Sequence, residues 1–280
     1  MRVPPLLAAG LVVATAACKT APAPLSGYLT GYEGLATKPG TLRVSVRERR
    51  DDARAATVET LYIQPAALHP GAAEGLSPAD VALVLGEVDR QACYELSERF
   101  TLTEALGPDV GVVRFAITRL RGSEPAAAGV AAVANTFIPG PIGVRAPGAT
   151  GALAAEAELV GADGVQISAL AFARQANVVG TDTPSLSRVG DALQFAEVLG
   201  DQVGDSFAAP GRKVRAIPTP DPCERFGPRA QPAGFLARLV TGLYVPQAQG
   251  VRPQRPMEQD PTVARQDLGT SAEPRKRAPD

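Results

Sequence analysis

Five stretches of the chain alternate apolar with polar residues or run to β-branched ones, and three more repeat at helical spacing. Leu42 to Val46 alternates, and Thr57 to Gln64 is rich in β-branched and aromatic residues ahead of Pro65; both predict strands. Val110 to Leu120 predicts a third, with Val113, Phe115 and Ile117 on one face and Arg114 on the other. Gly151 to Val160 and Val165 to Arg174 predict two more. They are joined by Gly161-Ala162-Asp163-Gly164, whose Asp-Gly step is a hairpin signal. The charged run from Arg47 to Arg54 reads as a solvated turn between the first two strands.

Ser77-Pro78-Ala79-Asp80 is a helix start: a serine cap, a proline at the first helical position and an acid in the first turn. Val81, Leu85, Val88, Ala92, Leu96 and Phe100 then recur on one stripe, predicting a helix over about 78–99. Pro184 to Phe207 repeats the pattern through Val189, Leu193, Ala196, Leu199 and Val203, predicting a helix over 185–207, and Phe235 to Tyr244 predicts a shorter one. The two long stripes need a common surface and the five strands supply it. The expected fold is therefore a single α+β domain over 26–245, with a mainly antiparallel five-stranded sheet and both long helices on one face. Residues 246–280 have few large apolar side chains and are expected to be a disordered tail.

Two local patterns leave alternatives open. Ala126 to Val144 has no charged residue, and Val130, Val133 and Phe137 fit one helical stripe. Pro139 and Pro141 exclude a membrane span there, which leaves a helix covering the sheet or an exposed apolar flap. Glu156 and Glu158 lie two apart, hence on one strand face. Acid–base chemistry or a hard cation would use such a pair, but Leu153, Ala155, Ala157 and Leu159 opposite them point to a wet face and a core face.

The N-terminus reads as an address. Arg2 precedes an apolar run from Leu6 to Ala17, too short to span a bilayer and shaped like a secretory signal over 1–17. Thr15-Ala16-Ala17-Cys18 resembles a bacterial lipobox, with Thr15 where Leu or Val is usual. Cys18 would then carry diacylglycerol and palmitate-type chains, with 18–25 as anchor and tether. Lys19 rather than Asp follows it, which points to the outer membrane. The alternative is a plain secretory signal cut near Ala16 or Ala23. With Cys18 lipidated, Cys93 and Cys223 remain in an oxidising compartment, and an even pair predicts a disulfide. Two buried free thiols are the alternative.

Composition narrows the chemistry. Twenty-eight basic and 29 acidic residues give a formal net charge of −1, which argues against a nucleic-acid partner. The single histidine, His69, precedes Pro70 in a loop, so multi-histidine metal sites are excluded. No nucleophile elbow, phosphate loop, dinucleotide fingerprint or C-x-x-C occurs. No catalytic residue, cofactor or metal ligand is assigned.

Four pieces together resemble the bacterial lipoprotein family catalogued as domain of unknown function 3313. They are Ser26-Gly27-Tyr28-Leu29 with Tyr32; Leu61-Tyr62-Ile63-Gln64-Pro65; Gly151 to Ala173 around Ala155-Glu156-Ala157-Glu158-Leu159-Val160; and the helix Gly190 to Phe207. The resemblance covers most of 26–208 and leaves 209–280 unexplained. It implies an envelope location and supplies no active site. The function expected is that of a lipid-anchored envelope protein, non-catalytic, binding or scaffolding an envelope partner. Alternatives are an auxiliary lipoprotein of an export or transport system and a metal-independent hydrolase.

Overall fold

The computed structural model describes residues 20–39, 43–135, 137 and 143–254. Its strands are β1 (Ala36–Thr37), β2 (Val44–Arg50), β3 (Thr60–Ile63), β4 (Ala67–Leu68), β5 (Thr101–Thr103), β6 (Val110–Arg121), β7 (Gly143–Val144), β8 (Ala152–Val160), β9 (Gln166–Gln175) and β10 (Val179–Gly180). Its helices are α1 (Asp52–Thr57), α2 (Pro78–Ser97), α3 (Pro125–Asn135), α4 (Gly190–Phe207) and α5 (Pro232–Thr241).

The main sheet has eight strands in the order β1-β2-β9-β8-β6-β3-β5, with β4 also on β6; β7 and β10 form a separate pair. From β1 through β6 every pairing is antiparallel. Beyond β6 the sheet turns parallel, because β3 pairs in parallel with both β6 and β5, and β4 with β6. This corrects the expectation of a five-stranded, mainly antiparallel sheet. Parallel pairing needs a long crossover, and α2 supplies it between β3 and β5. Strands of two or three residues are too short to show a period, so β1, β4 and β5 leave no signal of their own in the sequence. Pro65 has no N–H to pair, which splits β3 from β4 along the same neighbour. The ladder resumes where the His69 amide donates to the Ile117 carbonyl at 2.9 Å.

One sheet face carries Val113, Phe115 and Ile117 of β6, Leu153, Ala155, Ala157 and Leu159 of β8, and Leu170 and Phe172 of β9. Val84, Val88, Ala92 and Leu96 of α2, and Leu193, Ala196, Leu199, Val203 and Phe207 of α4, close over it in one buried cluster. The Ser77 hydroxyl accepts from the Asp80 amide and starts α2. α4 starts later than the pattern implied, at Gly190, because Pro184 and Ser185 hydrogen-bond Tyr244 instead.

Three further expectations change. Arg47 to Arg50 extend β2 rather than forming a turn, and Asp51 then caps α1. The opposite sheet face is not wet, since residues 20–32 lie across it. The expected tail boundary at 245 falls inside packed structure: Val251 is buried, and the Gln254 amide donates to the Ala82 carbonyl at 2.7 Å. Residues 246–254 therefore form a strap on α2, and 255–280 lie outside the described residues.

Candidate functional site

The second sheet face is built from small and charged residues: Ala154, Glu156 and Glu158 of β8, Ala169, Ala171 and Ala173 of β9, and Arg114 and Ala116 of β6. The alanines let a chain segment approach closely, and the carboxylates hold it. Glu156 accepts from the Ser26 amide at 2.8 Å, the Ser26 hydroxyl at 2.6 Å and the Tyr32 hydroxyl at 2.6 Å. Glu158 accepts from the Thr30 amide at 2.9 Å, the Thr30 hydroxyl at 3.0 Å, Arg114 Nε at 2.6 Å and Gln166 Nε2. Both carboxylates are buried, Glu158 completely, at 0% exposure. Gly27 takes φ 88°, a left-handed turn that sets Ser26 and Tyr28 on either side of the bend. Tyr28 then lies under the Arg114 guanidinium at 5.5 Å. Burial raises the Tyr28 and Tyr32 hydroxyls above the usual tyrosine range. The carboxylate pair expected on a wet face is thus a buried clamp for the N-terminal segment. Alternation placed both acids on one face but gave no sign of what covers that face.

A cavity lies elsewhere. It is an open cleft of about 920 Å³ between α2, the β3–β5 edge and the C-terminal strap. Cys93 of α2 and Cys223 are joined in a disulfide across 130 residues, with their Cα atoms 5.9 Å apart. This fixes the 222–226 segment as one wall. Ile63, Leu102 and Phe226 make the apolar lining, Arg252 adds a cation, and Arg225 adds a second that is paired with the exposed Glu104 at 3.0 Å. Arg229 backs the wall, bidentate to Asp221 at 2.9 and 3.0 Å and stacked on Tyr94 at 4.4 Å.

Asp89 is the buried acid of the cleft. It accepts from the Ala66 amide and from Gln254 Nε2, each at 2.7 Å. Burial pushes its carboxyl up to about 6, against these hydrogen bonds and the charge of Arg225. Its neighbour Glu87 is also raised by burial, and it is paired bidentately with Arg90, whose Nη1 reaches the Gln249 carbonyl at 3.0 Å. The strap reaches α2 only because Gly86 has no side chain: a Cβ there would lie 2.3 Å from the Arg252 carbonyl oxygen.

Asp89, Arg225 and Arg252 carry no motif that marks them in the sequence as cleft residues. Asp89 did leave a trace, sitting four residues after Leu85 and three before Ala92 on the buried side of an amphipathic helix. Of the sequence-assigned residues, Cys93 and Cys223 meet, and Cys18 lies outside the described residues. His69 follows β4, with Nδ1 3.1 Å from the Pro70 carbonyl. Among the described residues no group of three or more His, Cys, Asp or Glu is placed to hold a metal, and no helix is long and apolar enough to cross a membrane.

The sequence profile of a family described as "Protein of unknown function (DUF3313)" matches residues 24–203. The chain belongs to that family. The match takes in the N-terminal clamp, β8, β9 and most of α4, and it stops before Cys223 and the strap. No curated protein matches the chain. Among solved structures, the PelC dodecamer from Paraburkholderia phytofirmans is similar over 59% of this chain and 98% of its own, at 11% identity and a TM-score of 0.36. A variant of the same dodecamer in another crystal form gives 10% identity and a TM-score of 0.35, over 60% of this chain and 98% of its own.

Proposed function

We propose that the protein is a lipid-anchored envelope protein, held by Cys18 to the outer membrane and facing the periplasm, which binds a partner in the disulfide-walled cleft and performs no chemistry. The Cys93–Cys223 bond is the observation that carries this reading. A disulfide across so long a loop belongs in an oxidising compartment. It also fixes one wall of the cleft before any partner arrives, which lowers the ordering cost of binding. Apolar side chains beside Arg225 and Arg252 suit an extended peptide segment with apolar and acidic residues.

A second reading, a metal-independent hydrolase, is favoured by the raised Asp89 carboxyl in the cleft. Against it, both Asp89 oxygens already accept hydrogen bonds. Affinity capture from detergent-solubilised envelopes separates the two. The binding reading expects a stoichiometric partner that is lost when Arg225 and Arg252 are changed to Glu. The hydrolase reading expects no partner, and a turnover that Asp89→Asn abolishes. For the anchor, Cys18→Ala is expected to release the chain into the soluble fraction or block its processing. A wild-type protein already soluble, with an unmodified mature N-terminus beyond Cys18, refutes anchoring.

A further inference from the structure

The clamp on the N-terminal segment leaves almost no tether. Thr20 is buried, and its hydroxyl donates to the Arg43 carbonyl at 2.6 Å; the Ala23 carbonyl accepts from Arg47 Nη2 at 2.7 Å. Cys18 stands two residues before Thr20, a reach of about 7 Å even when fully extended. Wherever Cys18 is held, the surface beside Thr20 is held within a few ångströms of it.

That surface is one end of the sheet. Val44 pairs with Arg174 there, and the Arg43 guanidinium donates to the Thr181 hydroxyl just after β10. β10 pairs with β7, and the Val144 amide of β7 donates to Asn135 at the end of α3 at 2.8 Å. The Leu186 side chain lies against Gly129 of α3. Thr20, β10, β7 and α3 are thus neighbours at this end.

α3 has a single buried residue, Ala131. Val130 is 72% exposed and Val133 66%, three apart on α3, and Phe137, in the turn two residues beyond its end, is 83% exposed. Val144, Val179 and Leu186 extend the apolar surface. No charged residue occurs from Ala126 to Val144. At this end of the sheet Arg43, Arg121 and Arg188 are exposed and basic, and Glu124, ahead of α3, is exposed and acidic. An apolar face with arginines at the same end of the sheet matches a bilayer, with acyl chains under phosphate headgroups.

Resting on the lipid-anchor reading, we propose that this end of the sheet is a membrane-contact surface. In this arrangement α3 lies in the headgroup region of the bilayer that holds Cys18, with Val130, Val133 and Phe137 turned into the acyl boundary and the arginines on the phosphates. The domain then sits flat on the membrane rather than hanging from a flexible tether. The cleft, formed against α2 and the β3–β5 edge, stays free for its partner.

The chain contains no tryptophan, so one introduced indole reports alone. The full-length lipidated protein carrying Phe137→Trp is reconstituted into phosphatidylethanolamine–phosphatidylglycerol vesicles. Leu106→Trp, also exposed but at the opposite end of β6, serves as the control. The proposal expects blue-shifted emission from Phe137→Trp, most of it quenched by lipids brominated along their acyl chains. Leu106→Trp is expected to emit as in water and to stay unquenched. Vesicle-bound, lipidated protein whose Phe137→Trp emission is water-like overturns the proposal and leaves anchoring intact. A blue shift without bromolipid quenching also overturns it, and assigns the patch to a second copy or a protein partner. An unmodified Cys18 by mass analysis removes the anchoring reading, and the proposal with it.

Discussion

Glu158→Gln tests whether the buried carboxylates hold the N-terminal segment on the sheet. The substitution keeps size and shape and removes the charge. In the wild type, two amides or amide-like donors, Thr30 N and Gln166 Nε2, converge on one oxygen, and Arg114 Nε with the Thr30 hydroxyl converge on the other. Whichever way the new amide is turned, its NH₂ group faces a donor that cannot become an acceptor. Leaving one buried donor unmet costs about 1–3 kcal/mol. Arg114 also loses its carboxylate, and because its side chain is 35% exposed, water replaces part of that interaction. Removing a buried charge gives some of this back. The net expectation is a loss of about 3 kcal/mol, or roughly 6–12 °C in melting temperature for a domain of this size. Urea denaturation at neutral pH reads the stability, and hydrogen exchange reads the segment, with the amides of residues 26–32 losing protection first. Glu33→Gln, an exposed change in the same segment, is the control and should stay within about 0.5 kcal/mol of wild type. A loss below about 1 kcal/mol with protection of residues 26–32 unchanged would show that Glu158 does not hold the segment.

Three further outcomes are expected. Gly86→Ala normally stabilises a helix interior by about 1 kcal/mol, but here the new methyl meets the Arg252 carbonyl. It should destabilise by about 1–3 kcal/mol and open the strap to protease, and a gain in stability with the strap still protected refutes the contact. Asp89 has a folded pKa of about 6 against an ordinary 3.8, so the folded state binds its proton more tightly. Stability should therefore fall as pH rises from about 4 to 6, by up to about 3 kcal/mol, and stay low above that. Asp201, also raised to about 6, adds a slope of the same sign, so Asp89→Asn should show a shallower slope in urea titrations at several pH values, and parallel slopes for variant and wild type would refute the assignment. Replacing both Cys93 and Cys223 by Ala frees a 130-residue loop and should cost about 5 kcal/mol on the chain-entropy model. An unchanged denaturation midpoint would mean that the unfolded chain is constrained by something else.

Periodicity determined what is local. Alternation marked β6, β8 and β9, because each runs at least nine residues between a buried face and a second face. Helical stripes and the Ser77-Pro78 start marked α2 for the same reason. The even cysteine pair implied a bond, and the disulfide is present. What the sequence alone left undecided is how distant segments meet. Strands of two or three residues exist only because neighbours complete their hydrogen bonds, so on the parallel side of the sheet β3 left a signature and β4 and β5 did not. Glu156 and Glu158 look like a wet face until residues 26–32, more than a hundred positions away, bring donors to them. Residues 246–254 look unable to fold because they have little apolar surface, yet a missing side chain at Gly86 lets their backbone dock on α2. The apolar stripe of α3 is plain in the sequence, but a stripe does not say what it faces. The sheet decides that, by setting this helix beside the place where Thr20 is fastened, so that the same end of the molecule carries the exposed apolar face and the start of the clamped segment.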